Sequence, residues 1–266
     1  MTQMETAPEH APQAPGTLGV GRLLSVTFAI FLQRFVLFVG IAVVMNLAFY
    51  LVFYGLLGSS MFMQPDQMFS TSSGLTAFFV STFGAMLINV LLAGILTVAA
   101  YDAHQRRPIR LGLYFQSALA VVVPLLVMGL VSSIGIALGL MLLIVPGLIL
   151  AVMWSVMTPA IVIDKAGFGG LKRSQVLTKG YRWPILGFLV VVYVIIFVVN
   201  ALLGSIFGFG IGALAETPSG ISLYLFQAAT NAVMAAWGAV AVVVLYARLK
   251  ELKEGLGMDD LAAIFD

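Results

Sequence analysis

The sequence predicts an all-α integral membrane protein with about six transmembrane helices. They form three hairpins, with short amphipathic interfacial lead-in helices on the cytoplasmic side. Three observations predict this. Apolar residues make up 61% of the 266 residues and charged residues 9%, where a soluble domain carries roughly a quarter charged. The charges are separated by long charge-free tracts, and all thirteen basic residues fall on one side of the helix count those tracts imply. So few charges cannot cover the surface of a soluble domain of this size, and so apolar a chain is not disordered through most of its length. The tracts are also too continuously apolar for the alternating strands of a membrane barrel.

The elements follow in order. Residues 1–18 lack Lys and Arg and contain Glu5, Pro8, Glu9, Pro12 and Pro15, which predicts a disordered N-terminal tail rather than a cleavable signal. The charge-free tracts are 35–65, 67–101, 111–163, 183–215 and 217–247. A span needs about 20 residues at 1.5 Å rise per residue. Four tracts hold one helix each, and 111–163, the longest, holds two. The expected spans are 36–57, 76–100, 118–138, 142–163, 184–204 and 222–246, within a membrane domain over 19–247. A cytoplasmic tail, 248–266, continues the last helix until Gly255 or Gly257 stops it.

Charge placement tests the count. Three connections on one side, 58–75, 139–141 and 205–221, contain Asp66 and Glu216 but no Lys or Arg. Arg22, Arg34, Arg106, Arg107, Arg110, Lys165, Lys172, Arg173, Lys179, Arg182, Arg248, Lys250 and Lys253 all lie on the other. The positive-inside rule therefore predicts a bacterial cytoplasmic (inner) membrane protein with both termini inside.

Each hairpin follows a lead-in: Gly19–Arg34, Pro108–Ser117 and Gly167–Trp183. In the third, Leu171, Ser174, Leu177, Thr178 and Tyr181 share one helical arc. Lys172, Gln175, Lys179 and Arg182 share another, while Val176 and Arg173 interrupt the pattern. Such a helix suits the anionic headgroups of a cytoplasmic leaflet. The alternative is a solvated basic loop.

The residues that carry chemistry are sparse. There is no cysteine, and His10 and His104 are the only imidazoles. No H-E-x-x-H or P-loop motif occurs. No catalytic, cofactor or metal site is expected, and a net charge of +2 does not point to nucleic acid. Asp102 is expected to pair with Arg106 at i,i+4, and His104 to sit in a solvated loop. No acidic or basic residue lies mid-span, where it would read as functional. Asn89, Asn200, Gln227 and Asn231 are the candidate polar lining of a cavity, with helix–helix hydrogen bonding as the other reading. Pro146-Gly147 is expected to kink the fourth span or start it as a re-entrant segment, and Pro159 to bend its other end.

The segment Leu143–Trp183 carries Pro146-Gly147, Trp154-Ser155, Asp164, Lys172-Arg173-Ser174, Leu177-Thr178 and Trp183. This order resembles the membrane domain of bacterial glycerophosphoryl diester phosphodiesterases, in a stand-alone version without the hydrolase. The chain departs from that pattern at Met153, Asp164 and Gln175. The resemblance marks Pro146, Gly147, Trp154, Asp164, Lys172, Arg173, Ser174 and Thr178 as motif positions. It implies a six-span module and no enzyme, since the hydrolytic barrel of the fused proteins is a separate domain. The expected function is a non-enzymatic module that anchors, scaffolds or regulates a partner in lipid or envelope metabolism. A transporter or exporter of a small or lipid-like solute is the alternative. Expected partners are the bilayer, anionic headgroups, and either a partner protein or a second copy of the chain.

Overall fold

Ten α-helices follow one another among the described residues of the computed structural model, which are 18–57, 71–210 and 220–255; for 206–210, 220–225 and 227 only the backbone is described. They are α1 (Val20–Gln33), α2 (Phe35–Leu57), α3 (Ser72–His104), α4 (Leu111–Ala120), α5 (Val122–Leu142), α6 (Ile144–Met153), α7 (Met157–Val162), α8 (Gly170–Thr178), α9 (Arg182–Gly210) and α10 (Gly220–Glu254). The described residues contain no strand. Six segments are long and apolar enough to cross a membrane: α2, α3, α5, the pair α6–α7, and Arg182–Ser205 and Ala228–Glu254 within α9 and α10. The protein is an all-α, multi-pass membrane protein.

Burial sorts these helices. Helix α10 is the axis of the bundle, packing on α1, α2, α3 and α9. Ala228, Ala232, Ala236, Val240 and Val244 form its buried row. They recur every fourth residue, and their small side chains let neighbouring helices approach closely. Helix α2 lies at the periphery, with Val36 83% and Leu51 73% exposed. Such faces have lipid as their solvent.

The prolines explain where helices begin. Pro124, Pro146, Pro159 and Pro184 are each the third residue of a helix: α5, α6, α7 and α9 respectively. The first four N–H groups of a helix have no intrahelical acceptor, so a proline there removes nothing the helix uses. This corrects the expected kink at Pro146-Gly147. Proline 146 opens α6, and the turn before it is the single extended residue Leu143. Gly147 serves contact instead: a Cβ there would lie 2.5 Å from the Leu140 backbone nitrogen. The turn is bare of polar side chains. From Ile134 to Met153 no side chain carries nitrogen or oxygen, and Met141 and Ile144 are 86% and 74% exposed.

All three lead-ins contain helices, namely α1, α4 and α8. The second extends to Ala120, beyond the expected Ser117, because Pro124 postpones the start of α5. Leu18, assigned to the tail, is buried; residues 1–17 lie outside the described residues, as do the connections 58–70 and 211–219 and the tail beyond Gly255. Gly255 adopts φ 78° and accordingly ends α10.

Candidate functional site

The fourth apolar segment is broken between α6 and α7, and the break frees a carbonyl. The Met157 N–H donates to the Trp154 carbonyl at 3.0 Å, one residue short of the helical partner Met153. In apolar surroundings an unsatisfied carbonyl is costly. Helix α8 supplies the donor: the Ser174 hydroxyl reaches the Met153 carbonyl at 2.7 Å, with the Thr178 hydroxyl 3.4 Å from that carbonyl and 2.9 Å from the Ser174 carbonyl. Ser174, Leu177 and Thr178 are buried, while Lys172, Val176 and Lys179 are exposed. The arcs read from the sequence are therefore present, and the hydroxyl-bearing arc packs on the bundle. Helix α8 lies against α6, α7 and α10.

Between α7 and α8 the chain reverses at Lys165 and Gly167, both with positive φ (53° and 52°). Gly170 permits the return, since a Cβ there would sit 2.2 Å from Ile161 Cγ1. Asp164, at this reversal, anchors three side chains. Its Oδ1 accepts from the Tyr246 hydroxyl at 2.5 Å and from Lys250 Nζ at 2.8 Å, and its Oδ2 from Arg173 Nε at 2.7 Å. Arg173 also donates to Glu254. Tyr246 stacks edge-on against Tyr101 with ring centroids 6.4 Å apart. Burial alone would raise the Asp164 carboxyl, but the hydrogen bonds from Lys250, Tyr246 and Arg173 outweigh it and hold the group below its ordinary value. A carboxylate held charged, with both oxygens engaged, is a poor proton acceptor and a good anchor. It ties the root of α8 to the end of α10.

A second acid, Asp102, is 3% exposed. It faces Arg110 at 3.4 Å and Arg107 at 3.8 Å rather than the expected Arg106. Helix α3 ends at His104, so Arg106 (φ 56°) no longer follows the i,i+4 spacing. His104 is the last residue of α3, not a loop residue, and lines a small recess of about 100 Å³ with Arg22, Arg248 and Glu251. Arg34 Nη2 donates to the Arg107 carbonyl at 2.6 Å. These contacts gather the start of α1 and the ends of α3, α7 and α10 at one end of the bundle, together with most of the basic residues. Among the described residues no three or more of His, Cys, Asp and Glu form a group able to hold a metal ion.

The candidate cavity residues do not converge. Asn89 lines a cleft of about 280 Å³ between α3, α7 and α10, with Thr97, Ser155 and Thr158 as its other polar groups. Asn200 and Asn231 are exposed and do not line it, although Asn231 stands one turn before the lining residue Ala235, and the Gln227 side chain lies outside the described residues. Asn89 and Asn200 each donate to the carbonyl four residues earlier, Ala85 at 2.7 Å and Ile196 at 2.9 Å. An amide in an apolar helix is thus satisfied within its own helix.

Among the motif positions, Asp164 and Arg173 meet in the anchor, and Ser174 and Thr178 meet at the break beside Trp154. The Trp154 ring fills the space over Gly135, where a Cβ would lie 2.8 Å from it. Lys172 faces outward. Tyr246 was not singled out from the sequence, and Lys250 and Glu254 read there only as charges on the continuation of the last helix; the available signal was a Tyr and a Lys four apart on the last turns of an apolar helix.

A family model described as a domain of unknown function, DUF7847, matches residues 107–249. The chain belongs to this family. The DUF7847 match runs from the connection before α4 to near the end of α10, so it includes Asp164, Arg173 and Tyr246 and leaves out α1, α2 and α3. No curated protein and no solved structure matches the chain.

Proposed function

We propose that the protein is a non-enzymatic membrane module that holds a partner protein at the cytoplasmic face of a bacterial inner membrane, with both termini inside. The observation that carries this reading is the Asp164 anchor. It fixes α8 to the end of α10 and leaves Lys172 and Lys179 outward, without hydrogen-bond or ion-pair partners among the described residues. A rigid basic surface at a membrane face suits an acidic partner. The orientation is supported by the one-sided basic residues. The likeness of Leu143–Trp183 to the membrane domain of glycerophosphoryl diester phosphodiesterases supports placing that partner in lipid or envelope metabolism. The test is a photo-crosslinking residue at position 172 or 179 in native membranes. A discrete protein adduct that disappears when the other lysine is changed to Glu supports the reading, and crosslinks to lipid alone refute it.

The cleft at Asn89, Thr97, Ser155 and Thr158 favours one other function, a carrier of a small neutral solute. A carrier predicts a solute that raises the melting temperature of the native chain but not of Gly238→Leu, which fills the cleft. A panel of small polyols and amides that shifts neither protein, or both equally, counts against it.

A further inference from the structure

We infer that the groove between α6 and α9 binds one anionic phospholipid, with its phosphate on Arg182 and an acyl chain along α6. The groove encloses about 460 Å³ and is lined by Val145, Leu148, Ile149 and Val152 of α6 and by Arg182 and Trp183 of α9. That volume falls among small-molecule sites of about 300–1,000 Å³. Arg182 is the only charged lining group, and it has no hydrogen-bond or ion-pair partner among the described residues. One unpaired cation at the end of an apolar trough complements an amphiphile with one anionic head and a hydrocarbon tail. No acidic residue lines the groove, so a zwitterionic headgroup finds no seat for its ammonium.

The depth of the groove agrees with this occupant. The Lys253 ammonium sits 5.6 Å from the centre of the Tyr181 ring, so the corner holding Lys179 and Arg182 lies at the charged end of α10. From that corner the groove follows α6 from Val152 to Val145, about 10 Å of apolar surface. Charged residues sit where hydrocarbon meets headgroups, which puts Arg182 at phosphate depth and the rest of the groove beside acyl chains. Trp183, 82% exposed, occupies the depth that tryptophan favours.

This site shares with the proposed function only the placement of that end at the cytoplasmic leaflet; it needs no protein partner. The test is native mass spectrometry of the full chain, purified in detergent and supplied with equal phosphatidylglycerol and phosphatidylcholine. The native chain is expected to retain one phosphatidylglycerol in preference. Arg182→Gln should reduce that preference roughly fivefold, the scale of one basic residue at an anionic surface, while leaving phosphatidylcholine retention unchanged. Leu148→Trp, which fills the trough, should reduce retention of both lipids; Val145→Trp, at a more exposed position, replaces it should that variant fail to fold. The double change Lys172→Gln, Lys179→Gln should leave the preference intact, which separates this site from the surface assigned to the partner. Equal retention of the two lipids by the native chain overturns the inference. So does a preference that survives Arg182→Gln or vanishes with the two lysines, or a second copy of the chain in place of lipid.

Discussion

Replacing Asp164 with Asn should loosen the root of α8 more than any other single change at that end of the bundle. The side chain is 13% exposed and accepts from Arg173, Lys250 and Tyr246. Removing one partner of a fully buried ion pair costs about 3–5 kcal/mol. Here Arg173 and Lys250 remain 29% and 35% exposed, and Arg173 keeps Glu254. Water can therefore take up part of both released charges, and the expected loss falls to about 2 kcal/mol. That is about thirtyfold in the folding equilibrium. Unfolding in mixed micelles, followed by helical circular dichroism, measures it. The pH dependence gives a second readout. A carboxyl held below its ordinary value of 3.8 contributes stability above that pH, and the contribution is lost as pH falls through the folded value. The native chain should thus keep its advantage over Asp164→Asn from neutral pH to about pH 4 and lose it below. A variant within about 0.5 kcal/mol of native at neutral pH would refute the anchor.

Three further outcomes follow from the packing. Ser174→Ala should cost about 1–2 kcal/mol in the same assay, because the Met153 carbonyl then has only the Thr178 hydroxyl at 3.4 Å, which lies closer to the backbone carbonyl of residue 174; Ser174→Thr should restore most of it, and a neutral Ser174→Ala sinks the capping role. Gly147→Ala should cost about 1–3 kcal/mol through its collision with the Leu140 backbone, whereas Gly187→Ala, with nothing within 4 Å, should be neutral; equal effects would show that the close approach is not real. The chain has no cysteine, so Met141→Cys can be scanned alone. It should react with a membrane-impermeant maleimide more slowly than Lys172→Cys, because apolar surroundings disfavour the thiolate, and labelling as fast as at Lys172→Cys would place the tip in water.

Six long apolar helices were legible because charge is so costly in hydrocarbon that its gaps separate the apolar runs. The buried arc of α8 was legible for a similar reason: Ser174, Leu177 and Thr178 recur at helical spacing, and Lys172 and Lys179 do not share their face. The role of Pro146 was half legible: of a kink or a start of the span, the structure has the start, and the break before Pro159 lies at the end where a bend was expected. The anchor was half visible. Asp164 and Arg173 lie nine residues apart, but Tyr246 and Lys250 lie 82 and 86 residues further on, and no local periodicity connects positions so distant. Asp102 was paired with the wrong arginine because i,i+4 spacing holds only inside a helix, and α3 ends at His104, two residues before Arg106.

The hairpin of α5 and α6 meets polar side chains at one end only. At its root, Met153 is capped by α8, and Trp154 seats on Gly135. At the other end Met141 and Ile144 project, and only the backbone groups of the turn seek water there. The hairpin is therefore a cantilever. A bilayer that thickens or thins slides past its tip without meeting a charged or hydrogen-bonding side chain, so the cost of mismatch at that end is confined to the backbone groups of the turn.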